Sequence, residues 1–253
     1  LASNTGGQGR AIAMISMAKG NYAVRPVHGS ADMQAVLDLR AQCFGAASGQ
    51  TDRFDAVSTQ VMVTLGQGGA LVAAFRMSIL PVAKINDSYA AQFYDLEALS
   101  TFQGTLLELG RFCIHPDHKD PDILRIAWAA LTAFVDANDI KLLFGCSSFA
   151  GTKPEPYLHA FGVLKARHLA PPQWMPETKA GDVYPYAELL TDPPDLKEAA
   201  ATMPPLLRTY LLMGGWVSDH AVVDHTMNTL HVFTGLEIDA IPPARKKLLR
   251  ALV

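Results

Sequence analysis

Nowhere in the 253 residues do about 18 apolar residues run uninterrupted, the length a bilayer-spanning helix needs. The longest apolar segments, near 126–135 and 203–217, are broken by polar residues or prolines. The expectation is a soluble chain, one that rests on a membrane surface at most. Cysteine is scarce and odd in number. Cys43, Cys113 and Cys146 each have apolar neighbours, which fits buried thiols in a reducing cytoplasm rather than a disulfide frame. There is no excess of basic charge either. The net charge of −3 excludes a whole-molecule field for nucleic acid, so any anionic partner must meet a local patch. Metal-ligand spacing is also missing. His115 and His118 with Asp117 and Asp120, and Asp219-His220 with Asp224-His225, fit turns or solvated surface better than a metal site, and no metal is expected.

What is present is a large apolar fraction, 49% against 18% charged, enough for a well-buried core and contrary to disorder. Residues 1–20, rich in Gly, Ser, Ala and Gln, read as a flexible tail. Residues 21–253 read as one domain with a C-terminal extension from about 200. The periodicity predicts a strand at 22–27, then a helix over 31–44 capped by Gly29-Ser30. It predicts a strand pair at 61–65 and 70–80, a short helix at 91–100 and a strong strand at 106–114. A helix over 122–138 and a buried strand at 140–146 complete a βαβ unit, whose ligands sit at the carboxyl ends of its strands. Further helices are expected at 154–167, 206–213 and 242–252, and a strand at 232–236.

Glu108 stands out, a carboxylate on a strand of Leu, Phe and Ile, where desolvation raises its pKa and makes it a better base. The plain alternative is an ion pair with Arg111. Strand alternation puts positions 108 and 111 on opposite faces, so a common site requires a β-bulge at 109–112. Arg40, Arg76 and Arg111 are candidates to clamp a carboxylate. Asp52 and Asp55 are candidates to receive an ammonium group, and Ser147 and Ser148 to line a site at a strand's end. Two other patterns are rejected. His115 and Asp120 spell the His-x4-Asp of glycerolipid acyltransferases, but no downstream Pro-Glu-Gly block accompanies them. Gly145-Cys146-Ser147-Ser148-Phe149 lacks the second Gly of a nucleophile elbow. Tyr157 reads as ordinary packing.

The segment Leu106-Leu107-Glu108-Leu109-Gly110-Arg111-Phe112-Cys113-Ile114-His115-Pro116 resembles the fourth strand of acyl-homoserine-lactone synthases and of ornithine-lipid N-acyltransferases. Leu39-Arg40, Phe44, Asp52-Arg53-Phe54-Asp55 and Phe75-Arg76 continue the likeness upstream. Downstream, the segments 143–149, 167–172 and 204–216, and Asp224 with Asn228-Thr229, are similar to the ornithine-lipid family. The resemblance covers residues 22–236.

It implies an α/β (α+β) GNAT-like acyltransferase fold, a central mixed twisted sheet flanked by helices, with the bulge named above. It further implies transfer of a 3-hydroxyacyl group from acyl carrier protein to the α-amine of L-ornithine, giving a lyso-ornithine lipid in the bacterial cytoplasm or at the periphery of the inner membrane. Glu108 would be the base and Arg111 its catalytic companion. The donor would be acyl-phosphopantetheine on its carrier, with no separate cofactor. At 118–124, where acetyl-CoA enzymes of this fold keep a glycine loop for pyrophosphate, this chain has no glycine and two acids. Lys119 and Arg125 are the expected docking cations for the acidic carrier. The alternatives are the same chemistry on glutamine or another amino acid, an acyl-homoserine-lactone synthase, and a GNAT-shaped binding module without catalysis.

Overall fold

The apolar run over 105–114 forms a strand in the middle of a ten-stranded sheet. The computed structural model describes residues 13–251. In chain order β1 (Met17–Lys19) and β2 (Tyr22–Pro26) form a hairpin, followed by α1 (Gly29–Phe44), β3 (Thr59–Leu65) and β4 (Leu71–Pro81). Short 3-10 turns around β5 (Tyr94–Asp95) lead to β6 (Thr105–Ile114), α2 (Pro121–Ala137) and β7 (Ile140–Ala150). Then come α3 (Leu158–Arg167), β8 (Glu177–Thr178), β9 (Val183–Tyr184), α4 (Tyr186–Leu189), α5 (Leu196–Thr202) and α6 (Pro205–Leu212). The chain closes with β10 (Trp216–Val217), β11 (Ala221–Asp224), β12 (Thr229–Glu237) and α7 (Pro243–Arg250).

The sheet order is β1-β2-β3-β4-β6-β7-β12-β11-β9, with β10 also on β12, while β5 and β8 pair separately. β6 and β7 run parallel, as the βαβ reading requires, and the other pairs are antiparallel. The fold is the mixed sheet flanked by helices that the resemblance implies. α2 starts where the Asp120 carboxylate accepts the Asp122 N–H and Pro121 takes the first turn. Its apolar stripe packs on the sheet face that carries Phe75, Leu107 and Leu109. α1 lies on the other face, Val36 and Leu39 meeting Met62, Ala74 and Cys113.

Several expectations are corrected. Residues 1–12 of the expected tail lie outside the described residues, but from Ala13 onward the chain is held. Ala13 N–H bonds the Asn138 side chain, Ile15 is buried, and Met17–Lys19 pairs with β2. Residues 91–100 form 3-10 turns and a two-residue strand instead of a helix. The N-cap of α1 is His28, without a side-chain cap bond. The residues after 200 contribute to the sheet, where β12 pairs with β7 along nine positions.

The feature that makes a site is the parting of β6 and β7. Their ladder runs from Thr105 opposite Ile140 to Glu108 opposite Phe144 and stops, while β7 continues beside β12 to Ala150. Gly145 sits at the fork. A Cβ there would lie 2.2 Å from the Leu109 carbonyl oxygen, so only glycine lets the two backbones pass before they separate.

Candidate active site

The fork opens into a cavity of about 250 Å3 that reaches both faces of the sheet. Ser147 and Ser148 are successive strand residues and so project to opposite faces, yet both line it. On the α2 side the walls are apolar, with Leu109, Phe112, Leu124, Leu206, Leu207 and Tyr210. On the α1 side Glu108, Arg111, Asp224 and His231 bring polar groups to the cavity beside Phe44 and Met227.

Glu108 is the last residue of β6 that pairs with β7 and is 5% exposed. Its Oε2 accepts the Tyr89 N–H at 2.9 Å and its Oε1 the Ala90 N–H at 2.8 Å. Burial pushes the carboxyl pKa up, and the two amide bonds and the Arg76 guanidinium only partly offset it. The ion pair with Arg111 that would have made Glu108 merely structural is not formed. Arg111 bonds Asp52 and Met227 instead.

The bulge falls where alternation demanded it. Gly110 is opposite Arg76 and Cys113 opposite Ala74, so Arg111 and Phe112 share one partner position. Arg111 takes φ +53°, a left-handed conformation that costs a non-glycine residue roughly 1–2 kcal/mol. It is held there by Asp52 at 3.1 Å and by the Tyr89 ring beneath its guanidinium at 5.2 Å. Glu108 and Arg111 thereby line the same cavity.

The other predicted charges form an internal network. Asp55 accepts from Arg40 at 2.9 Å, Arg76 at 2.9 Å and Gln60 at 3.0 Å, and Asp52 accepts from Arg76 at 2.7 Å. Arg40 is 1% exposed and the Asp55 side chain 4%. The expectation that Arg40 clamps a substrate carboxylate and Asp55 receives its ammonium is corrected on burial. These two charges are directed at each other, and neither lines the cavity. Arg76 is likewise internal, and Asp52, though partly open, is bonded through both oxygens. Of the three arginines, Arg111 alone lines the cavity.

Ser147 accepts a bond from Thr234 at 2.9 Å, and Ser148 is exposed to the cavity directly opposite His231. Tyr157 donates to the Ala150 carbonyl and packs on Phe149, as expected. Lys119 and Arg125 are exposed at the start of α2, with Arg125 paired to Asp122. Among the described residues no group of three His, Cys, Asp or Glu is placed to hold a metal, and no helix is long and apolar enough to cross a membrane.

Two residues of the cavity, Tyr89 and His231, escaped sequence reading, and a third, Asp224, was noted for its likeness to the family but given no role. Tyr89 fixes Glu108 through its backbone and supports Arg76 and Arg111 with its ring. Asp224 is 7% exposed and accepts the Met227 N–H through one oxygen. His231, buried on β12, is held by burial near pKa about 4 and is therefore neutral at physiological pH. Its only sequence signal is a histidine amid apolar strand residues.

The family described as Acetyltransferase (GNAT) domain matches residues 39–129, from the end of α1 to the middle of α2. An L-ornithine N(alpha)-acyltransferase of Rhodobacter capsulatus is 34% identical over 173 residues, 68% of this chain and 66% of that protein, just under two thirds of its length. One of Rhizobium meliloti is 30% identical over 201 residues, 75% of this chain and 67% of that protein. Among solved structures, an uncharacterized protein of Bacillus halodurans covers 96% of this chain and 98% of its own at a TM-score of 0.50 with 8% identity, a likeness of fold.

Proposed function

Because the chain belongs to the L-ornithine N(alpha)-acyltransferase family, acyltransferases of the GNAT fold, we propose that it transfers a 3-hydroxyacyl group from acyl carrier protein to the α-amine of L-ornithine, forming a lyso-ornithine lipid. The observation that carries this reading is the buried Glu108 carboxylate at a fork with an apolar wall on one side and charged groups, Arg111 and Asp224, on the other. An acyl chain fits the first and a charged amino acid the second.

In this reaction Glu108, directly or through a water, takes a proton from the α-ammonium. The freed nitrogen attacks the thioester carbon and an N–C bond forms. Beyond Glu108 the β6 edge has left its ladder with β7, and its backbone N–H groups are the candidates to hold the oxyanion. The C–S bond then breaks, the amide remains, and the phosphopantetheine thiolate departs and is protonated. Recognition of a carrier protein rather than coenzyme A is favoured by the start of α2. The Asp120 carboxylate already occupies the Asp122 N–H, the Asp120 carbonyl takes the Ile123 N–H and Pro121 has none, which leaves little for a pyrophosphate.

Purified chain, 3-hydroxyacyl carrier protein and ornithine should yield a mass-detectable acyl-ornithine amide. Lys119→Glu should raise KM for the carrier several-fold with kcat nearly intact. The wild-type kcat/KM should fall steeply with salt, since exposed charges are screened over about 10 Å at 0.1 M. Absence of amide with ornithine and glutamine alike would sink the reading. Equal efficiency with acyl-CoA would sink its donor half.

A further inference from the structure

On the α1 side the cavity continues into a second chamber of about 310 Å3, and Tyr89, Arg111, Asp224 and Met227 line both. Four charged side chains line it, Asp52, Arg53, Arg111 and Asp224. Asp52 and Asp55 are shared among Arg40, Arg76 and Arg111, three cations to two anions. The surplus positive charge meets the cavity through Arg111, the one of the three whose guanidinium lines it. On the other side Asp224 spends one oxygen on the turn at Met227, and its second has no partner among the described residues.

Beside it His231 presents a second unpaired acceptor. The Tyr94 hydroxyl donates its one hydrogen to the His231 carbonyl at 2.8 Å, so the contact between that hydroxyl and Nδ1 at 3.1 Å must be donated by the ring. That tautomer leaves Nε2 with a lone pair, buried and without a partner, in a residue that lines the cavity. Thr229 Oγ1, two residues along the same strand face, is also buried and unpartnered. An anion-accepting corner at Arg111 and hydrogen-bond acceptors at Asp224 and His231 define a ligand that carries a carboxylate and donates from a cationic end.

We propose that this chamber is the acceptor subsite, with Arg111 binding the amino acid's α-carboxylate and Asp224 binding the ammonium at the far end of its side chain, so that Asp224 sets the preference for a basic amino acid. This rests on the acyltransferase reading above and replaces Asp52 and Asp55 as the ammonium ligands. The α-amine then lies between those anchors, turned toward Glu108 at the fork. His231 Nε2 accepts from an ammonium without taking its proton, because burial keeps the imidazole weakly basic.

The test compares ornithine with norvaline, which has the same carbon chain without the terminal ammonium, and with glutamine, using the full chain and one acyl carrier donor. The wild type should prefer ornithine by 100-fold or more in kcat/KM. In Asp224→Asn the Oδ1 that caps the Met227 N–H is kept, and the ratio of ornithine to norvaline should collapse toward 1. Ornithine should also lose its ability to raise the thermal midpoint of that variant, a readout independent of turnover. A retained preference in Asp224→Asn, or its collapse in Asp52→Asn instead, would overturn the assignment while leaving the acyltransferase reading in place. A wild type that acylates none of the three amino acids would overturn both.

Discussion

Replacing Glu108 by Gln is expected to lower kcat by roughly 10²–10⁴-fold, the usual worth of general acid–base catalysis, while changing amino-acid binding far less. The substitution is not purely chemical, because each Glu108 oxygen accepts one N–H from the Tyr89-Ala90 turn. Gln offers one acceptor and turns its NH2 toward the other donor, a loss of about 1–3 kcal/mol in stability. The two effects separate in the pH profile. Glu108 must be ionised to act, and burial raises its pKa above the unperturbed value of about 4.3. Wild-type kcat should therefore fall on acidification at a pH higher than a free glutamate would give. The residual activity of the Gln variant should lack that limb. Near-normal turnover of Glu108→Gln at neutral pH would make the carboxylate a structural clasp for the Tyr89 turn and nothing more.

The core of this site was legible because two local rules conflicted in the sequence. A Glu and an Arg three residues apart on an apolar strand cannot share a face unless the strand bulges, and Arg111 at φ +53° is that bulge. The start of α2 was equally legible, since Asp120 and Pro121 are a cap and a first-turn proline whatever surrounds them. Residues 91–100 were misread for the opposite reason. Their helical spacing is overridden by tertiary contacts, with Glu108 taking the N–H groups of residues 89 and 90 and the Tyr94 hydroxyl bonding His231 across the sheet. Asp224 and His231 reach the cavity because β12 returns beside β7 after an intervening stretch of more than 70 residues, a pairing no local pattern encodes.

The roles of Arg40 and Asp55 were out of reach for a related reason. Sequence places a charge on a helix and another in a loop, but which partner each meets is decided by burial. Removing the Asp55 carboxylate therefore tests packing rather than ligand binding. Asp55→Ala is expected to cost about 3–5 kcal/mol, the penalty for leaving buried partners uncompensated. Arg40 and Arg76 would face each other, both nearly inaccessible to water, and Gln60 and the Asp52 N–H would lose their acceptor. For a chain of this size that corresponds to a drop of roughly 6–20 °C in Tm. Arg40→Met combined with Asp55→Leu should lose less than the sum of the single changes, because no charge of that pair is then stranded. The acid response follows the same logic. Burial alone would raise the Asp55 carboxyl, but the Asp52 N–H and the Arg40 and Arg76 guanidiniums outweigh it and hold the pKa below the usual range. A depressed folded-state value adds stability that is full above the unfolded value of about 3.9 and lost as the pH falls through the folded one. Glu108 works in the other direction, its raised value giving stability below about 4.3 that disappears as the pH rises. Denaturant midpoints of wild type and Asp55→Ala measured from pH 7 down to pH 2 should converge on acidification as the wild type loses the Asp55 contribution. A parallel offset at every pH would show that the Asp55 contribution does not depend on its ionisation, and an Asp55→Ala variant with wild-type Tm and weakened ornithine binding would show that Asp55 is a ligand after all.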